Sequence, residues 1–94
     1  MKTNGKVIKI KPQESGEGAN GTWVKRVFVI ETMGDYSKKI AFTLFGAERV
    51  KWADELKLGQ VVSVSFDVES RAYEKQGIEF YATDCRCYGI NPVS

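Results

Sequence analysis

Three aromatic residues stand beside cations in strand-like stretches. Trp23 is near Lys25, Phe45 ends a run that begins at Lys39, and Tyr73 lies between Arg71 and Lys75. Every nucleobase has a π-face, so flat rings hold bases without reading them, at about 1–3 kcal/mol per base. Lysine and arginine neutralise the phosphates between those bases. Rings interleaved with cations can therefore hold an unpaired polyanionic strand. The competing reading is that one or two of these rings cover barrel ends or a subunit contact.

Other chemistry finds little to work with. The chain has no histidine, so acid–base work would fall to carboxylates, thiols or lysines. Asp67 and Glu69 alternate on one strand and could form a carboxylate pair, but they read better as a solvated strand edge. Gly16, Gly18 and Gly21 precede a strand rather than a helix, which is not the phosphate-binding arrangement. Cys85 and Cys87 sit at i and i+2. In a strand they share a face about 6.5–7 Å apart, an unfavourable geometry for a mutual disulfide. They are also too few ligands for a structural zinc. They read as buried free thiols, and the expectation is a non-enzymatic protein with no metal and no cofactor.

The elements that must position these groups follow from alternation. Strands are expected over about residues 3–12, 22–32, 38–45, 60–71 and 78–88, with a helix over about 47–57. Ile8 and Ile10 are expected inward on the first strand, with Lys9 and Lys11 outward. Phe28 and Ile30 point inward on the second, leaving Trp23, Lys25, Val27 and Val29 outside. On the third, Ile40, Phe42 and Leu44 face one way, so Phe45 faces the other, an odd place for a large apolar ring. Val62, Val64, Phe66 and Val68 form the inward set of the fourth. Ala47, Val50, Ala53 and Leu56 recur every three residues, and Gly59 suits a helix C-cap. Trp52 belongs to the core or its rim. Gln13 to Gly21 reads as a mobile glycine-rich loop, Ala72 to Gly77 as a loop tipped by charge, and Asn91 to Ser94 as a short tail.

Five strands with one helix between the third and fourth is the order of an OB fold. The reading is all-β: a single five-stranded OB-fold Greek-key barrel over residues 1–94. A small SH3-like barrel lacks a helix of this length at this point. At 94 residues with 43% hydrophobic and 28% charged composition, the chain suits one small globular domain. No apolar run approaches the roughly 20 residues of a membrane span. The N-terminus alternates lysine with isoleucine instead of forming a signal peptide's apolar stretch, so a cytoplasmic protein is expected. The net charge of +2 names no partner, but its distribution is uneven. Eight basic residues face four acidic ones up to Ala47, against six and eight beyond it. Positive charge on the first strands suits a sheet facing an anion, or a lysine-rich solvated face.

Phe45-Gly46, Leu58-Gly59, Val62 through Arg71, Tyr73, Gly77 and Tyr81 together resemble the second half of bacterial single-stranded DNA-binding proteins. The chain is more similar still to a little-characterised bacterial and phage family of short, single-domain OB proteins. That family carries a T-W-x-K…F-V-I-E-T block, here Thr22–Lys25 and Phe28–Thr32. An aromatic-glycine pair follows strand three, and a V-S-F-D…S-R-x-Y block spans Val64–Tyr73. The resemblance implies that Phe45 and Tyr73 stack on bases and that Arg71 matches a basic position two before the loop aromatic. Lys39 stands where the DNA-binding family has a stacking tryptophan, and Glu69 where a basic residue is usual, which should weaken affinity. The acidic tail with which that family recruits replication partners is not expected here, so the domain is expected to bind DNA without recruiting them.

The expected function is non-enzymatic, sequence-independent single-stranded DNA binding, with RNA as a further candidate. Lys9, Lys11, Lys25, Lys39 and Arg71 would take phosphates; Trp23, Phe45 and Tyr73 would take bases. Family analogy implies a homo-oligomer, dimer or tetramer. The alternative is an OB-fold interaction module without nucleic-acid binding, suggested by Glu69 and the outward apolar pair Val27 and Val29.

Overall fold

Strand β3 (Gly21–Thr32) is the spine of the sheet, because its two ends pair with different neighbours. The computed structural model describes residues 1–19 and 21–93. Asn20 of the expected loop and Ser94 of the expected tail lie outside these. Strand β1 (Lys2–Ile10) pairs antiparallel with the second half of β3, and β2 (Glu14–Gly18) with the first half. On its other side β3 pairs with β4 (Lys39–Phe45) from Lys25↔Phe45 to Glu31↔Lys39. A 3-10 helix (Arg49–Glu55) follows, then β5 (Val61–Lys75) and β6 (Ile78–Pro92). The sheet order is β1-β5-β6-β4-β3-β2 with an added β1–β3 pairing. Parallel pairing of β4 with β6 at Thr43↔Arg86 completes the circuit. This is the OB barrel expected from the sequence, enlarged by one short strand.

The core is the inward set of alternating strands. Val7, Phe28, Ile30, Phe42, Leu44, Val62, Val64 and Cys87 are fully buried, and Val50 and Ala53 plug the barrel from the 3-10 helix. Phe42 lies against Phe28, with ring centroids 5.5 Å apart, and against Phe66 at 5.0 Å, edge to face. Trp52 packs on the rim of this cluster, as expected. Both cysteines are free; Cys87 is buried and Cys85 half-buried. Burial pushes the Cys87 thiol up to about 11, opposed by a backbone hydrogen bond from Gly89 and by the charge of Arg49.

Six sequence expectations need correction. Asn91 and Pro92 of the expected tail belong to β6, paired with Ser63 and Val62. The stretch expected to be a mobile loop contains β2, whose backbone completes the ladder that β1 leaves open on β3 after Pro12. On β1 the buried residues are Gly5 and Val7, while Ile8 and Ile10 are only partly buried. A bulge between Val7 and Lys9 shifts the alternation there. Val68 is exposed because β5 leaves the barrel at that point. The helix over 47–57 is a 3-10 helix over Arg49–Glu55. Its apolar residues recur at intervals of three, which is the 3-10 repeat, where i and i+3 eclipse. Its cap is Leu56 in extended conformation; Gly59, at φ +89°, lies beyond it and donates its N–H to the Val7 carbonyl. Finally, Ala72–Gly77 is not a loop: strand pairing runs out to Lys75↔Ile78 and only Gln76-Gly77 turn. Both have positive φ, 54° and 77°, which matches a two-residue hairpin turn. Strands β5 and β6 thus form a long arm reaching past the barrel.

Candidate nucleic-acid interface

The β3–β4 register puts Lys25 directly opposite Phe45. Trp23 lies two residues further along β3, so it falls on the same face. Phe45 is followed by Gly46 at φ +98°, a left-handed conformation that ends the strand and turns the chain toward the 3-10 helix. An open cleft of about 490 Å³ forms here, lined by Gly18, Ala19, Gly21, Thr22, Trp23, Lys25, Phe45 and Arg71. Four of the eight residues that the sequence nominates therefore meet in one place: two rings and two cations. Trp23 is 38% exposed and Phe45 37%, so each offers part of its ring to solvent while the rest is supported.

The cations sit on the rings. Lys25 Nζ lies 5.7 Å from the Trp23 ring centroid and 4.0 Å from Glu14 Oε2. Arg71 reaches the cleft from β5 and has no ion-pair partner among the described residues. Arg86, which the sequence reading missed, lies with its guanidinium carbon 4.9 Å from the Phe45 centroid. Its Nε is also 3.3 Å from Glu69 Oε2. This neighbourhood is set by the parallel β4–β6 pairing, which joins strands distant in sequence and leaves no local signal.

Tyr73 stands outside the cleft, on the arm two residues beyond Arg71. Its ring stacks on Phe80 across the hairpin, centroids 5.5 Å apart and planes tilted by 21°. Phe80 was the second omission. Its pairing with Tyr73 follows from the two-residue turn, so reading Gln76-Gly77 as a hairpin turn would have found it. Ile78 is also exposed on this arm.

The remaining cations are elsewhere. Lys9 is exposed across from Val29, and Lys11 lies past the end of β1, its N–H bonded to the Val27 carbonyl. Both continue a cationic strip beside β3 without lining the cleft. Lys39 is opposite Glu31 at the far end of β4, six residues or roughly 20 Å from Phe45. The geometry does not bring it to the site. The expected carboxylate pair does not form a site either: Glu69 is engaged with Arg86. No cluster of three or more metal-ligating side chains occurs among the described residues.

Residues 2–91 match the family model described as "Domain of unknown function (DUF3127)". No curated protein matches the chain. Among solved structures, it is similar to the mitochondrial single-stranded DNA-binding protein Rim1 of S. cerevisiae. That likeness has a TM-score of 0.70 at 16% identity, over 99% of this chain and 92% of that one. The small single-stranded DNA-binding protein of Streptomyces coelicolor gives a TM-score of 0.58 at 14% identity, with the same coverage. At these identities the likeness establishes the fold: the chain has the OB architecture of these proteins.

Proposed function

We propose that this chain, which belongs to the DUF3127 family, is a non-enzymatic binder of single-stranded DNA. The observation that carries this reading is the meeting of Trp23, Phe45, Lys25 and Arg71 in one open cleft. Two partly exposed rings offer faces to unpaired bases, and the cations beside them neutralise the backbone. A duplex hides its base faces in its own stack, so it cannot use the rings. Likeness to single-stranded DNA-binding proteins of yeast mitochondria and Streptomyces supports the same reading at the level of the fold. The arm, with Tyr73 on Phe80, extends the surface beyond the cleft. Residues 2–91 would act as one domain, with a second copy of the chain able to lengthen the footprint.

Fluorescence anisotropy of a labelled oligo-dT tests this. Binding should weaken with salt and resist duplex competitor. The slope of log K against log salt for single strands is about −0.7 per phosphate neutralised. With Arg86 engaged by Glu69, Lys25 and Arg71 alone would give about −1.4, and the addition of Lys9 and Lys11 about −2.8. Anisotropy that stays flat at micromolar protein would remove the reading and favour a protein-interaction surface.

Glu69 sharpens the test. Its carboxylate holds Arg86 in the place of a phosphate. Both side chains are about half exposed, so the pair is worth about 0.2–1 kcal/mol. Glu69→Gln should therefore raise oligo-dT affinity by about 1.4- to fivefold and steepen the salt slope by about 0.7. Unchanged affinity and slope would mean that Arg86 takes no phosphate.

A further inference from the structure

The glycine-rich strand β2 touches the cleft without contributing a functional side chain. Its register to β3 is Glu14↔Lys25, Gly16↔Trp23 and Gly18↔Gly21. Positions 14, 16 and 18 therefore share the face that carries Lys25 and Trp23. Glu14 engages Lys25. The two glycines accommodate the indole. A Cβ on Gly16 would lie 2.5 Å from Trp23 Cζ2 and 2.7 Å from Cε2, closer than carbon atoms approach. A Cβ on Gly18 would lie 3.5 Å from Trp23 Cδ1, an ordinary contact. The edge of the indole from Cδ1 to Cζ2 thus runs along β2, and the space it fills at position 16 is the space a side chain would need.

We infer that Gly16 is a positioning residue for nucleic-acid binding: its missing side chain is the seat that holds the Trp23 ring at the cleft. This rests on the proposed reading of the cleft. Aromatic residues commonly cover a glycine on the neighbouring strand, and here the covering ring is one of two that line the cleft. Any side chain at position 16 drives the indole off β2, along with the surface it offers to a base. β2 contributes no residue to the core, so the effect is on the ring and not on the barrel.

The test uses Trp52→Phe as background, which leaves Trp23 as the single tryptophan. Gly16→Ala, Ser15→Ala, Trp23→Ala and the Gly16→Ala/Trp23→Ala double variant are compared. The readouts are Trp23 emission without DNA, thermal midpoint and oligo-dT anisotropy. Gly16→Ala should shift Trp23 emission to the red and weaken binding about tenfold, close to the loss in Trp23→Ala. Its thermal midpoint should stay within a few degrees of the background. The double variant should bind no more weakly than Trp23→Ala alone, because the seat acts only through the ring. Ser15→Ala, on the other face of β2 and outside the cleft, should behave as the background in all three. If Gly16→Ala keeps emission and affinity while Trp23→Ala loses affinity, the seat is disproved and the cleft reading stands. If Trp23→Ala itself binds normally, the cleft reading fails and the seat fails with it.

Discussion

Removing both rings of the cleft, Trp23→Ala with Phe45→Ala, should lower affinity for oligo-dT by about 2–6 kcal/mol, from about 1–3 per stacked base. The fold should be untouched, since neither ring belongs to the core and each is more than a third exposed. Circular dichroism with thermal melting checks the second statement, and anisotropy the first. The two single variants should differ in size. Phe45→Ala also frees Arg86 from the ring it covers. The released guanidinium can turn to a phosphate, which offsets part of the lost stacking. The smaller loss therefore belongs to Phe45. Phe45→Leu separates the mechanisms. It keeps most of the apolar bulk but removes the π-face, so stacking predicts a loss like that of Phe45→Ala, whereas simple hydrophobic contact predicts nearly full affinity. Native affinity in the double alanine variant would show that bases lie elsewhere, with the arm pair Tyr73 and Phe80 the next place to look.

The parts of this molecule that the sequence revealed are those where one face is buried and no residue is inserted. In β3, β4 and the first half of β5, alternation alone picks out Phe28, Ile30, Phe42, Leu44, Val62, Val64 and Phe66, all in the core. That same alternation puts Phe45 and Trp23 outside. It fails where its assumptions fail. A bulge adds a residue to β1, so the period of two slips and Val7 takes the place expected for Ile8. β2 has no apolar residue to show a period, and it exists because β3 offers an open ladder and Trp23 covers Gly16. The arm was hidden because Gln76 holds a positive-φ position where asparagine, aspartate or glycine is the usual signal. Of the site, the residues on one strand or on adjacent antiparallel strands were legible. Arg86 was not, since its place over Phe45 comes from a pairing between β4 and β6 that no local pattern encodes. Lys39 shows the converse error: it is on the same strand as Phe45, but strand length carries it away from the cleft.

Phe42→Ala should have the largest effect on stability of any change on β4, and the opposite phenotype to Phe45→Ala three residues along. Phe42 is fully buried and touches both Phe28 and Phe66, so its loss leaves a cavity between two rings held by the barrel walls. Phenylalanine-to-alanine changes in such sites cost about 3–5 kcal/mol. A domain of this length has a total stability of about 5–14 kcal/mol at 0.05–0.15 kcal/mol per residue, so the variant forfeits a large share. Its melting midpoint should fall by about 12–40 °C, at 4–8 °C per kcal/mol for a domain of this size. Binding measured well below that midpoint should be close to native, because the cleft rings stay in place whenever the barrel is folded. Phe45→Ala should keep the midpoint and lose the binding. The contrast tests the pleat of β4 directly. An odd spacing puts the two phenylalanines on opposite faces, and a register slipped by one residue would send Phe45 into the core and Phe42 to solvent. The two phenotypes would then exchange, with Phe45→Ala unfolding the barrel and Phe42→Ala binding weakly at an unchanged midpoint. That exchange would overturn the site as well as the register, because Lys25, Thr43 and Arg86 are all placed around Phe45 by the same pairings.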